Sequence, residues 1–228
     1  MKSPTGLLFL AATSVLGQGN FQNLDFESAN IQPGQGPGLV SAADAIPGWT
    51  PYLGTNEGSA VLFDNLFIGQ AVIALIGGPG WTNGGIVSGI YTAVLQAGSG
   101  ADGFSPVDAA ISQTGLVPMG THSIQFLSSG ARNGFTVTIA GQPISLSVVG
   151  TQNGFNLYRG DVSQFSGLSE ELRITALSVP SSPANLYIDS ILFSAEAVPE
   201  PGFLGLFSVG AVAPFWRFVQ LRQNAIAT

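Results

Sequence analysis

Phe135-Thr136-Val137-Thr138-Ile139-Ala140-Gly141-Gln142-Pro143-Ile144-Ser145-Leu146-Ser147-Val148 decides the fold class. Phe135, Val137 and Ile139 alternate with Thr136, Thr138 and Ala140, and Ile144, Leu146 and Val148 alternate with Ser145 and Ser147. A period of two puts each set on one face of an extended strand, whereas a helix face repeats every third or fourth residue. The intervening Ala140-Gly141-Gln142-Pro143 is turn chemistry, so the stretch predicts a β-hairpin. Working outward, similar short strands are expected at Ala110 to Gln113, Ser123 to Leu127, Gly154 to Tyr158, Leu172 to Leu177 and Leu186 to Phe193. Val117-Pro118-Met119-Gly120, Asn133-Gly134 and Asn153-Gly154 separate them as turns. Strands of this length at a spacing of roughly ten residues predict an all-β fold, an antiparallel jelly-roll β-sandwich. The Gly-rich stretch Gly77 to Gly103, with isolated Trp81, Ile90 and Tyr91, reads as two strands and a loop.

Composition agrees with strands and turns. The chain has 228 residues, of which 31 are Gly and only 8% are charged, whereas helices favour Ala, Glu, Lys and Arg on their wet faces. Between Gln18 and Val198 three cations, Arg132, Arg159 and Arg173, face twelve acids. A nucleic-acid backbone or an anionic membrane surface would be repelled. The absence of cysteine excludes disulfides, thiolate zinc sites and cysteine nucleophiles.

The two ends differ from the middle. Lys2 precedes the apolar run Gly6 to Leu16, too short to span a bilayer but of the length of a signal h-region, and Gly17 and Gly19 offer small cleavage positions. Residues 1–19 therefore read as a signal peptide, and 20–196 as one β-domain. At the other end Val198-Pro199-Glu200-Pro201 is followed by the apolar stretch Gly202 to Trp216 and by Arg217 and Arg222. This succession resembles the PEP-CTERM sorting signal, whose parts are a Pro-Glu-Pro motif, one hydrophobic transmembrane helix and a short basic end. The resemblance covers residues 197–222. It implies an exosortase-type membrane protease as partner and membrane attachment through the C-terminal helix before processing. It also implies an exported destination, at the cell surface or in an extracellular matrix rich in exopolysaccharide. Three departures are the short apolar run, Pro214 within it, and a basic end of only two Arg over six positions.

Asn23-Leu24-Asp25-Phe26-Glu27-Ser28, Ile46-Pro47-Gly48-Trp49 and Ile188-Asp189-Ser190-Ile191-Leu192-Phe193 together resemble the galactose-binding-like β-sandwich of many carbohydrate-binding modules. Alternation places Asp25 and Glu27 on one face of an expected first strand. The resemblance implies a structural Ca²⁺ held by Glu27 and Asp189 with backbone carbonyls, oxygen ligands that suit a hard cation. The alternative is solvated edge acids, or carboxylates that bond turn amides. No other cofactor is implied.

No catalytic residue is assigned. The lone His122 has no Cys or G-x-S-x-G elbow to work with and reads as a strand-start residue. Glu170-Glu171, the only adjacent acidic pair, reads as a solvated turn. Trp49 belongs to the Pro-Gly-Trp element and is expected in the core, whereas Trp81, Tyr52 and Tyr91 are the aromatic candidates for stacking on sugar rings. The sequence thus points to a non-enzymatic exported surface or matrix protein. A carbohydrate-binding module is the alternative class, and a glycoside hydrolase a weaker one.

Overall fold

The computed structural model describes residues 18–67, 69–179 and 182–198. The expected signal segment up to residue 17, and the Pro199-Glu200-Pro201 motif with its apolar run and Arg217 and Arg222, lie outside the described residues. Among the described residues no helix is long and apolar enough to cross a membrane.

The alternating stretches form strands, and strands account for nearly all regular structure. In chain order these are β1 (Gly38–Ser41), β2 (Thr50–Leu53), β3 (Asn56–Glu57), β4 (Ala60–Phe63), β5 (Val72–Gly77), β6 (Tyr91–Ser99), β7 (Pro106–Val107) and β8 (Ala109–Leu116). They continue with β9 (Ser123–Ser128), β10 (Phe135–Ile139), β11 (Gln142–Pro143), β12 (Leu146–Gln152), β13 (Phe155–Asp161), β14 (Ser169–Ala176) and β15 (Ala184–Ser194). One helical turn, α1 (Ala42–Ala45), follows β1, capped by Ser41 Oγ on the Ala43 amide.

Two sheets result. The larger runs β1-β4-β5-β6-β15-β9-β13-β12 with β7 added to β6, and the smaller runs β11-β10-β14-β8-β2-β3. Pairing is antiparallel throughout the named strands except between β4 and β5, where Leu62 and Phe63 lie parallel to Ala74 and Leu75. The shared core takes alternate residues from both sheets: Leu75, Leu95, Ile124, Phe126, Leu186 and Ile188 from one, Ile111, Val137, Ile139, Leu172 and Ile174 from the other. A second apolar cluster, Leu62, Val72, Ala74, Ile76 and Val94, occupies the opposite, outer face of the large sheet. It exists because the segments after β4 and β5 fold back over that face, bringing Leu66, Trp81 and Ile86 onto it.

Four local expectations are corrected. The hairpin expected over Phe135–Val148 forms only in part: Ala140-Gly141 turns the chain, Gln142 and Pro143 pair with Ile139 and Thr138, and Ile144 N donates to Val137 O, but the strand goes no further along β10. The chain then crosses over, and Leu146 pairs with Gly160 in the large sheet. A second hairpin, β12–β13, is closed by Asn153-Gly154, both at positive φ (53° and 84°) as a two-residue connection of this type requires. The Gly-rich stretch holds one long strand, β6, and a loop, instead of two strands. Glu170 and Glu171 are not in a turn but on β14, opposite Gly115 and Thr114. Finally, Asn23 to Ser28 is a turn and not a first strand, with Asn23 and Phe26 at φ 52° and 60°. Asn23 Oδ1 accepts from the Ser28 amide and Asp25 Oδ1 from the Glu27 amide, so local side-chain bonds outcompete a ladder. Asp25 and Glu27 therefore do not share a strand face.

Candidate functional site

That opening turn is held by its aromatic residue. Phe26 is fully buried and stacks on buried Trp49, ring centroids 5.8 Å apart, and Trp49 Nε1 donates to Asn23 O at 3.0 Å. Trp49 is thus a core residue, as expected. Ile191 N donates to Leu24 O at 2.9 Å, which sets the turn beside β15 as the sequence suggests, though through a turn and not a strand ladder.

The same turn directs Glu27 at the loop between β5 and β6. Glu27 Oε1 accepts from the amides of Ile90 at 2.7 Å and Tyr91 at 3.0 Å. Gly89 has φ 58°, and a Cβ there would collide with Glu27 Oε1, so only glycine lets the loop approach this carboxylate. Asp189 grips the loop from beneath. Its Oδ2 accepts from Thr92 Oγ1 at 2.9 Å, and Thr92 Oγ1 accepts from the Val87 amide at 2.9 Å. Its Oδ1 accepts from the Ser190 amide at 2.6 Å, at a bulge where Ser190 takes φ 52°.

Asp189 has no exposed surface. Burial raises its carboxyl to about 7, helped by the like charge of Glu27 and opposed by the bonds from Thr92 and the Ser190 and Ser88 amides. Neither carboxylate has an ion-pair partner among the described residues, whose salt bridges are Arg159–Glu196 and Arg173–Glu171. Two neighbouring carboxylates without a counter-charge fit a hard cation, which the fold resemblance implies here. Among the described residues no three His, Cys, Asp or Glu side chains converge, so backbone carbonyls would have to complete the shell. What the structure shows is the other reading, carboxylates that bond loop and turn amides.

The loop so anchored carries Trp81. Its Nε1 donates to Gly84 O at 2.8 Å and its amide to Gly78 O at 3.2 Å, so the indole is fixed in place. Across from it the β4–β5 connection presents Asp64, Asn65 and Leu66. Between the two lies an open cleft of about 270 Å³, floored by Ile76 and Tyr187 and rimmed by Asp64, Asn65, Trp81 and Asn83. Asp64 sits at φ 49°, its Oδ1 accepting from the Gly77 amide at 2.8 Å, and burial raises its carboxyl above the ordinary range.

The three aromatic candidates are not brought together. Trp81 lines this cleft. Tyr52 lies in the small sheet with the Arg173 guanidinium 4.2 Å from its ring centre. Tyr91 packs against the main core, its hydroxyl pushed up by burial and by the charges of Glu27 and Asp64. The second aromatic of the cleft is Tyr187, which the sequence reading missed. Its signal was present: Tyr187 and Asp189 are two apart on one strand and so share its outer face. His122 is exposed just before β9, where its amide donates to Ser194 O, in keeping with a strand-start residue.

Comparison with known proteins adds no relative: no protein-family model, curated protein or solved structure matches this chain.

Proposed function

We propose that this chain is an exported, non-enzymatic surface or matrix protein, one β-domain delivered by a separable Pro-Glu-Pro sorting tail. The observation that supports this reading is that the chain divides between Ala197 and Val198, at the first residue of the motif. The domain side of that boundary is tied down: Ser123 Oγ donates to Glu196 O at 2.6 Å and Arg159 pairs with Glu196 at 2.9 Å. At the front, Phe193 N donates to Gln18 Oε1 and Leu116 N to Asn20 Oδ1, so signal cleavage after Gly17 keeps both contacts and cleavage after Gly19 forfeits the first. The finer fold assignment, a galactose-binding-like jelly roll, belongs to the same proposal and is supported by Trp49 and by the closing strand beside the opening turn.

In this reading an exosortase-type protease recognises Pro199-Glu200-Pro201 while the apolar helix and its basic end hold the precursor in the membrane. Glu200→Ala or Pro201→Ala in a host with such a protease leaves the domain folded and the precursor unprocessed in the membrane. Normal processing of both variants overturns the proposal. A second reading, a carbohydrate-binding module, is favoured by the Trp81–Tyr187 cleft.

A further inference from the structure

We propose that the cleft between the β4–β5 and β5–β6 connections seats one pyranose residue of an uncharged polysaccharide, which rests on the carbohydrate-binding reading. Size is the first argument. At about 270 Å³ the cleft lies below the ~300–1,000 Å³ of sites that enclose drug-sized ligands, so it suits one ring of a longer polymer that continues into solvent.

Chemistry is the second. A pyranose has an apolar C–H face and a rim of hydroxyls. Ile76, Trp81 and Tyr187 offer carbon surface to the first, and Asp64, Asn65 and Asn83 offer donors and acceptors to the second. Asp64 spends Oδ1 on the Gly77 amide, which leaves Oδ2 for a hydroxyl. The side-chain amides of Asn65 and Asn83 make no hydrogen bond to another described residue, so both are at hand for a ligand.

Charge selects the class. The lining contains one carboxylate and no Lys or Arg, and the chain as a whole carries −7, so phosphate, sulfate or uronate groups are repelled. Rigidity is the last argument. Trp81 is fixed by its bond to Gly84 O, and its loop is clamped at the far end by Glu27, so little ordering cost falls on the ligand.

The test uses the full chain, arrayed against neutral glucans, galactans and mannans and against polygalacturonate, followed by titration of the best binder. The expected result is binding of a neutral polymer, weakened at least ~10-fold by Trp81→Ala through the lost stacking surface. Asn83→Ala, an exposed position with no bond to break, weakens it as well while the melting temperature stays unchanged. Wild-type affinity in both variants overturns the site and leaves the carbohydrate reading standing. Preference for polygalacturonate overturns the uncharged class. Binding to no glycan overturns the site and the carbohydrate reading together.

Discussion

Asp189 should make the domain less stable as pH rises, which is opposite to the behaviour of an ion-paired carboxylate. Its carboxyl stands at about 7 in the fold against 3.8 in an unfolded chain, because burial and the Glu27 charge disfavour the anion. Between those two values the folded state keeps a proton that the unfolded state releases. The contribution is therefore complete below pH 3.8 and is lost as pH rises to about 7. At ~1.4 kcal/mol per pH unit, the interval from pH 5 to pH 7 costs about 3 kcal/mol, a substantial part of an ordinary domain's stability. Urea unfolding at pH 5, 6, 7 and 8 with EDTA measures this. Asp189→Asn removes the titration, at a cost of ~1 kcal/mol for the hydrogen bond lost with Thr92 or Ser190. The wild type should fall below Asp189→Asn as pH rises, their difference changing by about 3 kcal/mol over the series. Parallel curves, within ~0.5 kcal/mol of one another after a constant offset, would refute the reasoning.

Three further perturbations test the anchoring of the loop and the turn beneath it. If Glu27 and Asp189 hold a calcium ion, EDTA lowers the melting temperature of the wild type relative to millimolar calcium, and Glu27→Gln abolishes the difference; equal melting in both buffers means no such site. Gly89→Ala should destabilise by ~1–2 kcal/mol, since it combines an unfavourable positive φ with a collision on Glu27, and an unchanged denaturation midpoint would contradict that contact. Phe26→Ala empties the stacking position on Trp49 and should cost ~3–5 kcal/mol, visible in urea unfolding, whereas a loss below ~1 kcal/mol would mean the turn is not seated in the core.

Where alternation was strict, sequence and structure agree, because a period of two with one buried face leaves little freedom of register. The strand over Phe135–Ile139 was legible for that reason, and the strands expected at Ala110–Gln113 and Leu186–Phe193 fall within β8 and β15. β5, Val-Ile-Ala-Leu-Ile-Gly, is buried on both faces and carries no alternation, so its apolar run gave no period to read. Pairing partners were not legible either. Alternation says which face of Leu146 is apolar, but not that the chain leaves β10 after Ile144 and pairs next with β13 in the other sheet. Asp25-Phe26-Glu27 imitates an alternating strand, and only the local bonds of Asn23 and Asp25 turn it. Of the site, Trp81, Glu27 and Asp189 were named from sequence. Spacing from Asp189 gives the face of Tyr187, but Asp64, Asn65 and Asn83 meet it through long-range packing across β4, β5 and β15, which no local spacing encodes.

Thermal unfolding of residues 18–197 expressed without the tail tests the separation of domain and sorting signal most directly. The core residues Phe21 to Phe193 and the Arg159–Glu196 pair are all retained. A soluble product with a single cooperative transition is expected. An insoluble or non-cooperatively melting product would show that the residues after Val198 contribute to the core, and would contradict a tail that serves only for sorting.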